Sequence, residues 1–162
     1  MKIKKYDEIV ELNKNSELKY KIGEPNSNIL KKNNENFDII HNFMSADFYL
    51  PSSKERAQVI KFYGFPTDED PSCLAYYYTT ISSDSIFKIS VGLEMAAAEK
   101  ILSNYGYKKD GEYYVKGVVQ IKLYHDKKNI KELVKEKDNL LPDRVSGIEI
   151  SLKSKYLGNR LY

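Results

Sequence analysis

Few side chains in this chain have a type and setting suited to chemistry. It holds two histidines, His41 and His125, a single cysteine, Cys73, and 14 tyrosines. His125 precedes Asp126 at the end of an alternating run, so the pair reads either as an imidazole base oriented by a carboxylate or as a surface histidine at a turn. Cys73 opens a tyrosine-rich strand with no basic residue beside it in sequence. A thiol in that setting is inert and buried rather than nucleophilic. Asp68, Glu69 and Asp70 are consecutive, whereas a calcium loop needs alternating carboxylates and a later bidentate glutamate. They read as a solvated loop. The eight glycines are scattered and form neither GxGxxG nor GxxxxGK, and HExxH and CxxC are absent. No catalytic residue, metal ligand or cofactor follows from these residues.

The tyrosines are the remaining signal. The run CLAYYYTTI places Tyr76 and Tyr78 on one face of a strand, opposite Tyr77. With Ala75, Tyr77 and Ile81 turned toward the helices, Tyr76 and Tyr78 decorate an open sheet face, joined there by Tyr114 and Tyr124. Tyrosine offers a large contact area, a polar tip and little entropy to lose, which suits a binding surface. It also fills strands through plain propensity, so both readings stand at this level.

The elements that must hold these residues are clearest over residues 91–126. A helix is expected over residues 93–104, because Ala97, Ala98, Ile101, Leu102 and Tyr105 recur at three- and four-residue spacing. Gly106 ends it. Strands are expected over residues 112–116 and 118–125, joined at Lys116-Gly117. In the second, Val119, Ile121 and Leu123 alternate with Gln120, Lys122 and Tyr124, the mark of an antiparallel sheet covered on one side.

Elsewhere, helices are expected over residues 6–13, from a capping box at Ser52 and Glu55 to Tyr63, and from Asn129 through Val134. Strands are expected over residues 16–22, 47–50, 73–81, 85–90 and 145–153, the last with Ile148, Ile150 and Leu152 inward. Residues 37–44 fit either element. The fold class is α+β: an antiparallel sheet of about six strands with helices packed on one face.

AQVIKFYGF, residues 57–65, and AEKILSNYGY, residues 98–107, align with one insertion. A single domain with two helix-plus-hairpin repeats, residues 51–90 and 91–126, would explain this; so would the common habit of helices ending in glycine. Gly92-Leu93, Ala98, Ile101, Leu102, Gly106-Tyr107 and the alternating strand after them resemble the repeat unit of beta-lactamase-inhibitor-like proteins. They are similar also to the small outer-membrane assembly lipoproteins that share that unit. The resemblance implies a helical segment before an antiparallel sheet whose face binds another protein. The chain departs from both families in lacking a signal peptide, a lipidation cysteine and a cysteine pair.

Composition narrows the function classes. Net charge is only +3, with 26 basic and 23 acidic residues, and the basic ones are nearly all lysine. That argues against a dedicated nucleic-acid binder, which needs a dense basic stripe and arginine forks. One cysteine cannot form an internal disulfide, and no window is long and apolar enough to span a bilayer. The expected setting is the cytoplasm, of a bacterium or phage given the Lys, Asn and Ile content. The function expected is a non-enzymatic module of inhibitor or immunity type that binds another protein. A small enzyme near His125 and Asp126 and a nucleic-acid accessory protein are the alternatives.

Overall fold

The structure is a computed structural model, and it describes residues 6–25, 38–41, 45–49, 58–63, 73–125 and 143–153. Two helices are described, α1 (Asp7–Lys14) and α2 (Met95–Asn104). The strands are β1 (Ser16–Glu17), β2 (Asp38–His41), β3 (Ser45–Tyr49), β4 (Gln58–Tyr63) and β5 (Cys73–Thr79), then β6 (Ser85–Ile86), β7 (Lys108–Asp110), β8 (Tyr113–Lys116), β9 (Val119–His125) and β10 (Val145–Leu152). Eight of them form one sheet in the order β2-β3-β4-β5-β10-β9-β8-β7, and β1 pairs with β6 in a separate ribbon. Every pairing in the large sheet is antiparallel. The α+β class and the antiparallel sheet therefore stand, with eight strands in place of about six. No helix among the described residues is long and apolar enough to cross a membrane.

Alternation organises the sheet. Cross-strand partners share a face, and the register links Ile60 to Tyr77, Tyr77 to Ile150, Ile150 to Ile121 and Ile121 to Tyr114. All five are buried, so one apolar row crosses five strands. Within it, on β5, the Tyr77 hydroxyl accepts from Gln58 Nε2 at 3.0 Å and lies 3.4 Å from Asp84 Oδ2. That same Asp84 oxygen accepts from Gln58 Nε2 and Thr79 Oγ1, each at 2.6 Å. A buried carboxylate is tolerable only when donors surround it, and these donors do so. Ile9 and Leu12 of α1 and Ala98 and Leu102 of α2 belong to the same core.

Lys116 ties the helices to the hairpin of β8 and β9: its Nζ lies 2.7 Å from Glu11 Oε1 of α1 and donates at 2.7 Å to the Tyr105 carbonyl after α2. The start of α2 is laced to the start of β10. Gly92 N donates to the Val145 carbonyl, Val145 N to the Leu93 carbonyl and Met95 N to the Asp143 carbonyl, each at 2.8 Å. This lacing fixes Asp143 beside the end of β9.

Three sequence expectations are corrected here. Residues 58–63 are a strand, not the end of a helix. Ala57, Ile60 and Tyr63 have helical spacing, but Gln58 and Ile60 are buried while Val59 and Lys61 are half-buried, a period of two. Pairing with β5 supplies what local propensity does not decide. AQVIKFYGF and AEKILSNYGY thus cover a strand in one place and a helix in the other.

Residues 16–22 pair only at Ser16 and Glu17, because Asn13 folds the rest back. Its Nδ2 donates to the Ile22 carbonyl and its Oδ1 accepts from Ile22 N, both at 2.9 Å. Residues 85–90 turn after Ile86: Phe87 and Lys88 have φ of 50° and 67°. Phe87 is buried with its ring centroid 4.1 Å from that of Tyr105, and that burial offsets the left-handed backbone. The helix start expected at Ser52 and Glu55, the helix expected from Asn129 and the loop expected at Asp68 to Asp70 lie outside the described residues.

Two substitutions test this fold by urea denaturation. Lys88 is exposed with a left-handed φ, so Lys88→Gly is expected to raise stability by about 0.5–1 kcal/mol. Gly117 has φ of 57°, and a Cβ there would meet the Glu8 carboxylate, which accepts Val118 N at 3.1 Å. Gly117→Ala is expected to lower stability by about 1–2 kcal/mol.

Candidate functional site

β5, β10 and β9 lie side by side near the centre of the sheet, so their residues that face away from the buried row form a second surface. Register places Tyr78 opposite Glu149 and Glu149 opposite Lys122, with Tyr76 opposite Ser151. Glu149 sits at the middle of this surface and is only 8% exposed. Its Oε1 accepts from the Tyr76 hydroxyl at 2.8 Å and from the Tyr124 hydroxyl at 3.1 Å. Tyr78 meets Tyr124 edge to face, with centroids 5.4 Å apart and planes at 80°. Gly147 makes room for that ring, since a Cβ at 147 would come within 3.0 Å of the Tyr78 hydroxyl oxygen. All three tyrosines are half-buried.

Two lysines flank the rings. Lys61 Nζ lies 5.0 Å from the Tyr76 centroid and Lys122 Nζ 4.6 Å from that of Tyr124, within cation–π range. Lys122 also pairs with Glu112 at 3.2 Å, and this hydrogen bond holds its ammonium above the ordinary lysine range. Burial, joined by the Glu149 carboxylate, raises the Tyr76, Tyr78 and Tyr124 phenols above their ordinary value. The surface therefore presents neutral phenols, two of them bonded to one carboxylate, with Lys61 and Lys122 beside the rings.

Tyr76, Tyr78 and Tyr124 share this surface, as the sequence suggests. Tyr114 does not. It pairs with Ile121 on the opposite, core-facing side, is 8% exposed, and donates its hydroxyl to Glu99 of α2. The hairpin explains the correction: Lys116 pairs with Val119, so two steps back Tyr114 must share a face with Ile121. Glu149, Lys61 and Lys122 were missed as members of the site. The even spacing of Gln120, Lys122 and Tyr124 was visible, but which strand lay between β5 and β9 was not.

A second feature lies where β9 outruns β8. β8 pairs with β9 only as far as Ile121, and the end of β9 borders a cleft of about 500 Å³. Tyr114, Tyr124, His125 and Asp143 line it, with Glu99 of α2 opposite. His125 Nδ1 lies 2.6 Å from Asp143 Oδ2, although the two are not aligned as a hydrogen bond. The carboxylate beside His125 is thus Asp143, brought in by the lacing of β10 to α2. Asp126 lies outside the described residues. Cys73 is a buried thiol outside any disulfide. Among the described residues no group of three His, Cys, Asp or Glu side chains is placed to hold a metal ion.

No family model, curated protein or solved structure matches this chain.

The phenols set a pH dependence. Tyr76, Tyr77, Tyr78, Tyr107, Tyr114 and Tyr124 are all raised above their ordinary 10.0 in the folded protein, burial being the first cause at each. Above pH ~10 the unfolded chain loses these protons while the folded chain keeps them, so the unfolded state binds fewer protons and stability falls as pH rises. Their contribution is fully present below pH ~10. Urea midpoints measured between pH 8 and 11 are expected to fall steeply only in the alkaline part of that range.

Proposed function

We propose that this protein is a non-enzymatic binding module of inhibitor or immunity type, acting in the cytoplasm, that docks another protein on the outer surface of β5, β10 and β9. One observation carries this reading: Tyr76 and Tyr124 donate to the same oxygen of Glu149, with Tyr78 packed against Tyr124. Phenols held in this way are ordered before a partner arrives, so docking immobilises fewer rotamers. Half-buried rings supply contact area. The mechanism is occlusion: a flat, rigid patch covers a partner's own working surface. The likeness of residues 91–126 to the repeat unit of sheet-face binding proteins points the same way.

A small enzyme is the second reading, and the His125 cleft favours it, since an imidazole beside a carboxylate can act as a base. It would show turnover of a small substrate where the first reading shows a stable complex.

The test of docking is affinity capture from the native host with the wild-type chain and with Tyr76→Ala and Tyr78→Ala, each checked for folding by circular dichroism. A partner identified by mass spectrometry with the wild type is expected to be reduced at least about tenfold by either substitution, the loss typical of an aromatic hot spot. Equal recovery with folded variants would exclude this surface as the docking site.

A further inference from the structure

The outer surface of β5, β10 and β9 carries one carboxylate, and its bonding indicates what a partner must bring. Glu149 is buried among Tyr76, Tyr78 and Tyr124. Both of its side-chain hydrogen bonds fall on one oxygen: Tyr76 and Tyr124 donate to Oε1 at 2.8 and 3.1 Å. The other oxygen, Oε2, has no hydrogen bond among the described residues and is not sealed from solvent. Neither lysine beside the rings pairs with Glu149. Lys122 is held by Glu112 at 3.2 Å, and Lys61 lies over the Tyr76 ring. The carboxylate thus keeps an acceptor open on the side where a partner docks. Once docking removes water, that acceptor costs free energy unless the partner supplies a donor, and a cationic donor serves it best.

The rings select among cations. Tyr78 packs edge to face on Tyr124, and its hydroxyl has no hydrogen bond among the described residues, so it is a second acceptor beside the carboxylate. A guanidinium is planar, carries several N–H donors, stacks on aromatic rings and is more weakly hydrated than an ammonium. It can bond a carboxylate oxygen and a phenol oxygen together, where a lysine brings a compact and strongly hydrated charge.

We propose that the partner of this surface inserts an arginine side chain among Tyr76, Tyr78 and Tyr124, with its guanidinium on Glu149 Oε2. This rests on the docking reading and adds to it the chemistry of the partner's central residue. The phenol rings supply contact area, and Glu149 supplies selectivity, because a partner without a cation at that point leaves a buried carboxylate oxygen unpaired.

The experiment is a nuclear magnetic resonance titration of the full chain at neutral pH with the N-acetyl methylamides of arginine, citrulline and lysine. Citrulline has the length and shape of arginine, with a neutral urea in place of the guanidinium. The arginine probe is expected to give saturable shifts at the amides of Tyr76, Tyr78 and Glu149. The citrulline probe should bind roughly tenfold more weakly, the difference between a charge-assisted and a neutral hydrogen bond, and the lysine probe should also bind more weakly than the arginine one. Glu149→Gln keeps a carbonyl oxygen for Tyr76 and Tyr124 and puts an amide donor in place of Oε2, so it is expected to weaken arginine binding by a similar factor. Absence of saturable shifts with the arginine probe would overturn the proposal. So would citrulline or lysine binding as tightly as arginine, or undiminished arginine binding by folded Glu149→Gln. The comparison of probes on the unaltered chain decides the matter even where Glu149→Gln fails to fold. A captured partner that Tyr76→Ala loses, with no arginine binding, would overturn this proposal and leave the docking reading standing. Arginine binding with undiminished capture by folded Tyr76→Ala would overturn the docking reading itself, and this inference with it.

Discussion

Tyr77 is the residue on which the arrangement turns. Its ring is fully buried, and its hydroxyl sits among Gln58, Asp84 and the backbone N–H of Lys19. A strand has only two faces, so fixing Tyr77 inward fixes Tyr76 and Tyr78 outward. A slip of one residue would place two phenols in the core and expose the third, and it would strand Asp84 without its donors. The polar network around Asp84 therefore does more than satisfy a buried charge: it holds the register that orients the outer surface.

The outer surface inherits its order from β10. Lying between β5 and β9, that strand contributes Glu149, which reaches phenols from both neighbours, and Gly147, whose missing side chain admits the Tyr78 ring. Both features come from the same strand that extends the buried row through Ile148 and Ile150. Core and outer surface are thus two readouts of one alternation. The cleft follows from a different constraint, the mismatch in length between β8 and β9. The lacing of β10 to the start of α2 sets Asp143 against the free end of β9.

Much of this was legible in the chain wherever a local period controls the outcome. The helix around Ala98 and Leu102, the alternation of Val119, Ile121 and Leu123, and the shared face of Tyr76 and Tyr78 opposite Tyr77 all follow from spacing alone. Tyr114 was misplaced because its strand is short, and its face is set by the register of the hairpin with β9 rather than by a pattern of its own. Gln58 to Tyr63 was misread because its apolar spacing fits both periods, and the decision comes from β5, a strand distant in sequence. Glu149, Lys61 and Asp143 could not be placed at all from spacing, since each joins its site through strand order or through an interaction with a residue far along the chain. Local periodicity encodes faces; it does not encode neighbours.

Hydroxyl-radical footprinting of the free protein, read residue by residue by tandem mass spectrometry, tests the orientation of β5 most directly. Labelling of Tyr76, Tyr78 and Tyr124 with protection of Tyr77 and Tyr114 is the expected outcome. Labelling of Tyr77 to the same extent as its two neighbours would contradict the account, because no single register of the strand could then hold the phenols where the docking surface needs them.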